Sequence, residues 1–296
     1  MPTSFEPTRK ALSELSGWSS EARAAIGNAL SSYRDACGTR KPVAAFDCDM
    51  TTVHGETGWT VYNSMVDTMS FPFGDALYAH IGAEYGANTI AAYVDQLLPL
   101  PQSERLSHPL FPHYRRLMLG ANYDRYQREG GASSCPWVVK SYAGLTRSFM
   151  EMATRSAIDK ALQSPRVLET VPGAPCGLPD LVLHHGIQPF AAVANLMSLL
   201  KAAGFDIVMV SGSHQLALEA MVELAKLQVD RSFGMDPVIK DGVITTELKK
   251  PLTWHSGKPQ IVHQYYPYGY SMAFGDSPGD TDLLNGARDA AIFIQH

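Results

Sequence analysis

Cysteine is scarce in this sequence, and its four copies are far apart. Cys37, Cys48, Cys135 and Cys176 are spread over 296 residues. This spacing fits neither the disulfide framework of a small secreted domain nor the paired cysteines of a zinc knuckle. We therefore expect reduced thiols. The ten histidines contain no pair four residues apart with an acidic neighbour, so a zinc site on a helix is not expected either.

The chain also lacks an excess of basic residues and a long apolar run. Its 24 Lys and Arg and 29 Asp and Glu give a net charge of −5, so we expect neither nucleic acid nor a membrane as partner. No apolar run approaches the roughly 20 residues that span a bilayer. Residues 1–10 lack the layout of a secretory signal, so we expect a cytoplasmic protein. The oligomeric state does not follow from the sequence.

The strongest positive signal is a short apolar run, residues 43–46, that leads directly into two aspartates, Asp47 and Asp49. Such a run is typical of a buried strand in a parallel sheet, and α/β proteins bind ligands at the carboxyl ends of these strands. Side-chain alternation places Asp47 and Asp49 on one side and turns Cys48 away, which predicts a buried structural thiol. Two carboxylates held this close require a divalent cation or strongly split pKa values.

Three further segments place polar groups next to apolar runs or helices. Residues 207–210 lead into Ser211-Gly212-Ser213, where a hydroxyl and backbone amides can bind an anion. Lys258 lies at the start of a predicted helix, and residues 272–274 lead into a segment that contains Asp276, Asp280 and Asp282. The ordered pattern D-x-D-x-T, strand-S-G, K, then G-D-x-x-x-D resembles the haloacid dehalogenase superfamily.

The resemblance implies an α/β fold, with a Rossmann-like parallel sheet as the core and an inserted, mainly helical cap domain. Residues 8–36 carry apolar positions at helical spacing, and residues 1–40 are predicted to form a helical N-terminal extension. Residues 57–180 lack a convincing parallel strand and form the predicted cap. The predicted core comprises residues 41–56 and 181–296, and within it an Asp-Gly turn at Asp241-Gly242 predicts a β-hairpin.

The resemblance also implies roles for the matching acidic residues. Asp47 matches the nucleophile, which becomes an aspartyl phosphate, and Asp49 matches the general acid and base. This second aspartate separates the phosphatases of the superfamily from its dehalogenases. Asp276 matches the carboxylate that binds Mg²⁺ together with Asp47 and the main-chain carbonyl of Asp49, and Asp280 matches a supporting position in the metal site. Asp282 either shares that task or stabilises a helix N-terminus.

The implied phosphate-binding residues are Thr51, Ser211, Gly212 and Lys258. Gly212 serves by letting the backbone approach the ligand. Lys249 and Lys250 are alternatives to Lys258, which is preferred for its position in the motif.

These roles predict a magnesium-dependent phosphomonoester hydrolase for a small phosphorylated metabolite. Within the superfamily, the chain is similar to phosphoserine phosphatase and to bacterial phosphorylcholine phosphatase. Glu56 matches the glutamate that meets the amino group of phosphoserine; alternatively, it caps the first helix of the insertion. The favoured substrates are therefore a phosphorylated amine or amino acid, with phosphocholine and phosphoserine to be tried first. A phosphomutase or phosphotransferase on the same core and a non-catalytic binding module are the alternative functions.

Overall fold

The computed structural model describes residues 6–35 and 41–295. Contacts between Cα atoms divide the chain into two compact units. Of the described residues, unit 1 comprises 6–35, 41–56, 188–234 and 250–295, and unit 2 comprises 57–187 and 235–249. Within the described residues, no helix combines the length and apolar character that crossing a membrane requires.

Unit 1 is built on a five-stranded sheet. Its strands, in order across the sheet, are Ala290–Phe293 (β11), Met272–Gly275 (β10), Val43–Phe46 (β1), Asp206–His214 (β6) and Arg231–Met235 (β7). The pairs β1–β10, β1–β6 and β10–β11 are parallel, and Ala44 lies opposite Met272 on one side and Ile207 on the other. The central strand β1 is buried along its whole length, as expected for an apolar strand that is covered on both faces.

Helices pack against this sheet and enclose its core. The core includes Val43, Ala45, Val208, Val262 and Ala273, all of which are buried. The helices of unit 1 are Glu6–Glu14 (α1), Ser20–Asp35 (α2), Ala191–Ala202 (α10), Gln215–Leu224 (α11), Gly257–Tyr265 (α12) and Thr281–Asn285 (α13). The prediction of an α/β fold with a parallel core sheet is confirmed. Helices α1 and α2 lie in the predicted N-terminal extension, of which residues 1–5 and 36–40 are outside the described part.

A short antiparallel pair joins the two ends of the long insertion within unit 1. Strands Val53–His54 (β2) and Gln188–Pro189 (β5) pair with each other, and the amide of Phe190 donates to the carbonyl of Thr52 at 2.9 Å. The chain therefore leaves the core after residue 56 and returns to it at residue 188, close to the point of departure.

Unit 2 is mainly helical and also contains two β-hairpins. Its helices are Thr57–Asp67 (α3), Asp75–Ile81 (α4), Ala87–Leu97 (α5), Gln102–Ser107 (α6), Phe111–Glu129 (α7), Gly131–Lys140 (α8) and Arg147–Gln163 (α9). The hairpins are Val167–Val171 (β3) with Leu181–His185 (β4), and Pro237–Lys240 (β8) with Val243–Leu248 (β9).

The second hairpin has the predicted Asp-Gly turn, but it groups with unit 2. Asp241 and Gly242 both have positive φ, 52° and 78°. The amide of Gly144 donates to the carbonyl of Ile244, and the amide of Ile244 donates to the carbonyl of Leu145, both at 2.9 Å. These hydrogen bonds tie the hairpin to the helical insertion, whereas the sequence pattern assigned residues 181–296 to the core. Strand β4 likewise belongs to unit 2.

Candidate active site

The segment after β1 is a tightly bonded loop that begins with Asp47. The amide of Asp47 still donates to the carbonyl of Phe274 on the neighbouring strand, at 2.9 Å. The chain then turns, with Met50 at a φ of 57°. The hydroxyl of Thr52 donates to the carbonyl of Asp47 at 2.7 Å, and the amide of Thr52 donates to the carbonyl of Cys48 at 2.8 Å. The loop therefore holds the Asp47 backbone at the end of the central strand.

The Cys48 side chain is fully buried and forms no disulfide. Burial raises the pKa of its thiol well above the ordinary value, and the charges of Asp49 and Asp47 raise it further. The thiol therefore stays protonated at neutral pH and is a poor nucleophile. The prediction of a buried structural thiol is confirmed. Cys135 and Cys176 form no disulfide either, while Cys37 lies outside the described residues.

Lys258 lies between two aspartates in the interior of unit 1. Its Nζ donates to Oδ1 of Asp47 at 2.6 Å and to Oδ1 of Asp280 at 2.5 Å. The side chains of all three residues are at most 7% exposed. Burial alone lowers the pKa of Lys258, but Asp47 and Asp280 together raise it above its ordinary value. The ammonium group is therefore permanently charged.

Burial raises the pKa of Asp47 well above its ordinary value. Lys258 opposes this shift, whereas the neighbouring Asp280 and Asp49 add to it. A single ammonium group thus does not balance the carboxylates gathered here, and the ionised form of Asp47 needs a further positive charge beside it.

A close backbone approach fixes the position of Lys258. Gly257 precedes it at the start of α12, and a Cβ atom at this position would lie 1.6 Å from the carbonyl oxygen of Leu252. The two other candidate lysines lie elsewhere. Lys249 pairs with Asp236 at 2.7 Å, and Lys250 is exposed. The structure therefore brings Lys258 to Asp47, and the contacts described for Lys249 and Lys250 do not include Asp47.

The loop after β10 is organised around Asp280. Its Oδ2 accepts hydrogen bonds from the amide of Asp276 at 3.2 Å, and from the amide and hydroxyl of Ser277 at 3.1 and 2.9 Å. Oδ1 of Asp276 accepts a hydrogen bond from the hydroxyl of Thr51 at 2.9 Å. Thr51 therefore contacts the acidic loop in this structure. Asp282, in contrast, lies in the first turn of α13, the helix N-terminal position that was its alternative role.

Asp49 binds two hydroxyl groups at the end of β6. Its Oδ2 accepts a hydrogen bond from Ser213 at 2.6 Å and one from Ser211 at 3.3 Å. The amide of Ser213 in turn donates to the hydroxyl oxygen of Ser211 at 3.0 Å. Gly212 lies between the two serines and is partly exposed. The sequence motif singled out Ser211 and Gly212, whereas Ser213 had no assigned role.

The carboxylates fit a hard divalent cation. Ligand oxygens of Asp47, Asp276 and Asp280 all lie within 4.8 Å of one another. Mg²⁺ binds oxygen at about 2.1 Å, so opposite ligands are about 4.2 Å apart, and a set of this size can close around one ion. Both oxygens of Asp280 already accept hydrogen bonds, so this residue is better suited to hold Lys258 and the loop than to bind metal directly.

Glu56 lies at the end of the segment that leaves the core. The Glu56 side chain is exposed, yet loss of hydration next to the surrounding protein raises the pKa of Glu56 well above its ordinary value, and the charges of Asp49, Asp47 and Asp276 raise it further. Glu56 is therefore within the electrostatic field of the aspartates, where a cationic group would be favoured.

Comparison with protein families matches a large part of the chain to a known group. The family model of haloacid dehalogenase-like hydrolases matches residues 114–285, which is more than half of the chain. The chain belongs to this family. The resemblance predicted from the motifs is thus confirmed. The matched region includes Ser211, Lys258, Asp276 and Asp280 but begins after Asp47, so the first motif is an observation on this chain itself.

Two solved structures share the fold of this chain. A conserved protein of unknown function from Anaerococcus prevotii DSM 20548 is 18% identical, with a TM-score of 0.75 over 92% of this chain and 84% of that chain. A protein of unknown function from Bordetella pertussis Tohama I is 14% identical, with a TM-score of 0.54 over 83% and 87%. A substrate-bound phosphoserine phosphatase is 17% identical, with a TM-score of only 0.42 over 84% of each chain. No curated protein matches the sequence.

Proposed function

We propose that the protein is a magnesium-dependent phosphomonoester hydrolase that works through a phosphorylated Asp47. The observation that carries this proposal is the different surroundings of two aspartates only two residues apart. Asp47 is buried against the ammonium group of Lys258, whereas Asp49 is partly exposed and bonded to neutral hydroxyls. Such a pair can divide nucleophilic and acid–base work between its members.

In the proposed reaction, the Asp47 carboxylate attacks phosphorus and Asp49 delivers a proton to the departing alkoxide. Water then loses a proton to Asp49 and attacks the aspartyl phosphate, which releases phosphate and restores both carboxyl groups. Lys258 lies against the nucleophile, where it stabilises negative charge and orients the attacking oxygen. Thr51, Ser211 and the backbone at Gly212 complete the proposed phosphate cradle.

The proposed metal ligands are Asp47, Asp276 and the main-chain carbonyl of Asp49, with Asp280 in support. Bound Mg²⁺ would offset the repulsion between the carboxylates and a phosphate dianion. Four aspartates and one lysine converge in the structure, so a phosphate group cannot enter favourably without added positive charge. Burial is the main reason that the pKa of Asp47 is raised, and the neighbouring Asp280 and Asp49 raise it further.

Release of inorganic phosphate from a panel of phosphorylated amines, amino acids and sugars tests the proposal. We expect turnover that requires Mg²⁺ and is abolished by Asp47→Asn, a change that keeps the size of the side chain. Circular dichroism would show that the variant folds. Metal-independent turnover or an active Asp47→Asn protein would refute the proposal. Transfer of phosphate back to a substrate, without net release, would indicate a phosphomutase.

For the substrate, we propose a small phosphorylated amine or amino acid, because Glu56 can pair with a cationic group. Since solvent reaches this side chain, the preference rests on a screened charge pair, and we expect Glu56→Gln to reduce it about two- to fivefold. The assay compares kcat/KM for phosphocholine and phosphoserine with that for glycerol phosphate. Glu219→Gln, an exposed change on α11, is the control. A preference that survives Glu56→Gln unchanged would show that Glu56 does not contact the substrate.

A further inference from the structure

We infer that Ser213 is a positioning residue that holds the Asp49 carboxyl group in the orientation in which it exchanges protons with the substrate. This inference rests on the proposed function. The hydrogen bond from Ser213 to Asp49 Oδ2 is 2.6 Å long, within the range of about 2.5–2.7 Å for a hydroxyl bonded to a charged carboxylate. The bond from Ser211 to the same oxygen, at 3.3 Å, is much weaker.

The two serines therefore divide their tasks. A serine hydroxyl has one proton to donate, so Ser211 cannot donate a hydrogen bond to Asp49 while it donates one to a phosphate group. The amide of Ser213 also donates to the Ser211 oxygen, which leaves the proton of Ser211 as the part that turns towards a ligand. Ser213 keeps its own bond to Asp49 throughout this change.

The hydrogen bond from Ser213 restricts rotation of the Asp49 carboxyl group and so fixes its orientation for proton transfer. In the first step, an Asp47 oxygen bonds to phosphorus, the bond between phosphorus and the leaving oxygen breaks, and the proton of the Asp49 carboxyl group passes to the leaving oxygen. In the second step, water loses a proton to Asp49, its oxygen bonds to phosphorus, and the bond between phosphorus and Asp47 breaks. Ser213 neither gains nor loses a proton in either step.

The backbone that carries Ser213 is held firmly enough for this task. Ser213 is the penultimate residue of β6, and the next residue, His214, accepts a hydrogen bond from the amide of Leu216 at 3.0 Å and so caps α11. On the other side, a Cβ atom at Gly234 would lie 2.8 Å from the Ser213 carbonyl oxygen. This glycine lets β7 pack directly against the end of β6.

Leaving-group dependence separates a positioning role from a structural one. An alkyl phosphate needs a proton on its leaving oxygen, whereas p-nitrophenolate leaves readily as an anion. For Ser213→Ala we expect kcat/KM on an alkyl phosphate to fall about 10- to 100-fold, with less than a threefold change on p-nitrophenyl phosphate. Ser213→Thr, which retains the hydroxyl, should restore most of the loss. Ser198→Ala, which removes a hydroxyl bonded to the α10 backbone, should match the wild type on both substrates.

Equal losses on both substrates, or no loss on either, would overturn the inference about Ser213 while wild-type activity still supported the proposed function. If the wild type itself released no phosphate from either ester in the presence of Mg²⁺, the proposed function would fail as well. If Ser213→Ala does not fold, the same ratio of activities measured in Ser213→Thr and Ser213→Cys decides the matter, because thiol is a much weaker donor than hydroxyl. A Cys variant with the wild-type ratio would then refute the role of the hydroxyl.

Discussion

Replacing Gly257 with alanine provides a severe test of how Lys258 is placed. The new Cβ atom would lie 1.6 Å from the Leu252 carbonyl oxygen and 2.8 Å from its carbon. Real Cβ contacts are essentially never shorter than 3.0 Å. The two backbone segments must therefore separate by roughly 1.4 Å, and neither is a flexible side-chain end that can move aside at low cost.

This displacement is large compared with the hydrogen bonds of the adjacent residue. Lys258 contacts its two aspartates at 2.6 and 2.5 Å, and a shift of this size takes both contacts beyond normal hydrogen-bond length. A misplacement of about 1 Å can cost about 100-fold in rate. We therefore expect kcat/KM for phosphate release to fall at least about 100-fold. Overpacking should also reduce the free energy of unfolding by about 1–3 kcal/mol.

The assay is magnesium-dependent phosphate release, with denaturant unfolding measured on the same protein. Gly27→Ala is the matched control, because a Cβ atom there meets only Leu12 Cδ2, at an ordinary 3.6 Å. Gly27 lies within α2, so this change should stabilise the protein by about 0.5–1 kcal/mol and leave the activity unchanged. A Gly257→Ala protein with activity within threefold of the wild type would show that the Gly257–Leu252 contact does not set the position of Lys258.

Two other predictions concern buried charge and pH. Lys258→Ala should lower the free energy of unfolding by about 3–5 kcal/mol, because two buried aspartates lose their partner. The exposed Lys250→Ala should change it by less than about 0.5 kcal/mol. The reverse order of the two effects in denaturant unfolding would contradict the site assignment. Burial, together with nearby cationic side chains, lowers the pKa of His80 below its ordinary 6.5, so the unfolded state takes up a proton first as the pH falls. The stability that the wild type has relative to His80→Gln should thus be fully present above pH 6.5 and should decline as the pH falls through the lowered pKa of His80. Identical dependence of the free energy of unfolding on pH in the two proteins would refute this.

Much of the core and its site could be predicted because parallel strands end at one edge. The apolar runs before Asp47, Ser211 and Asp276 became strands β1, β6 and β10, and adjacent parallel strands bring their following residues together whatever the sequence separation. The pattern therefore predicted the residues that gather in the candidate site.

The features that sequence could not supply depend on long-range backbone and side-chain geometry. The hairpin of β8 and β9 was recognisable from its turn, but its hydrogen bonds with Gly144 and Leu145 have no local signature. The Ser213 contact depends on how the end of β6 is oriented towards Asp49. The alternation of side chains along a strand predicts on which side of the strand a residue lies, but not which residue it contacts. For this reason it did not distinguish the lysine-bound Asp47 from the serine-bound Asp49.

The central claim, that Asp47 carries the phosphoryl group during turnover, is tested most directly by trapping that intermediate. The protein is mixed with Mg²⁺ and an active phosphomonoester, quenched in acid within the first turnovers, and analysed by intact-mass and peptide-mapping mass spectrometry. The account predicts the added mass of one phosphoryl group, on the peptide containing Asp47, and no such addition in Asp47→Asn. A phosphoryl group on another residue, or one that persists in Asp47→Asn, would contradict it.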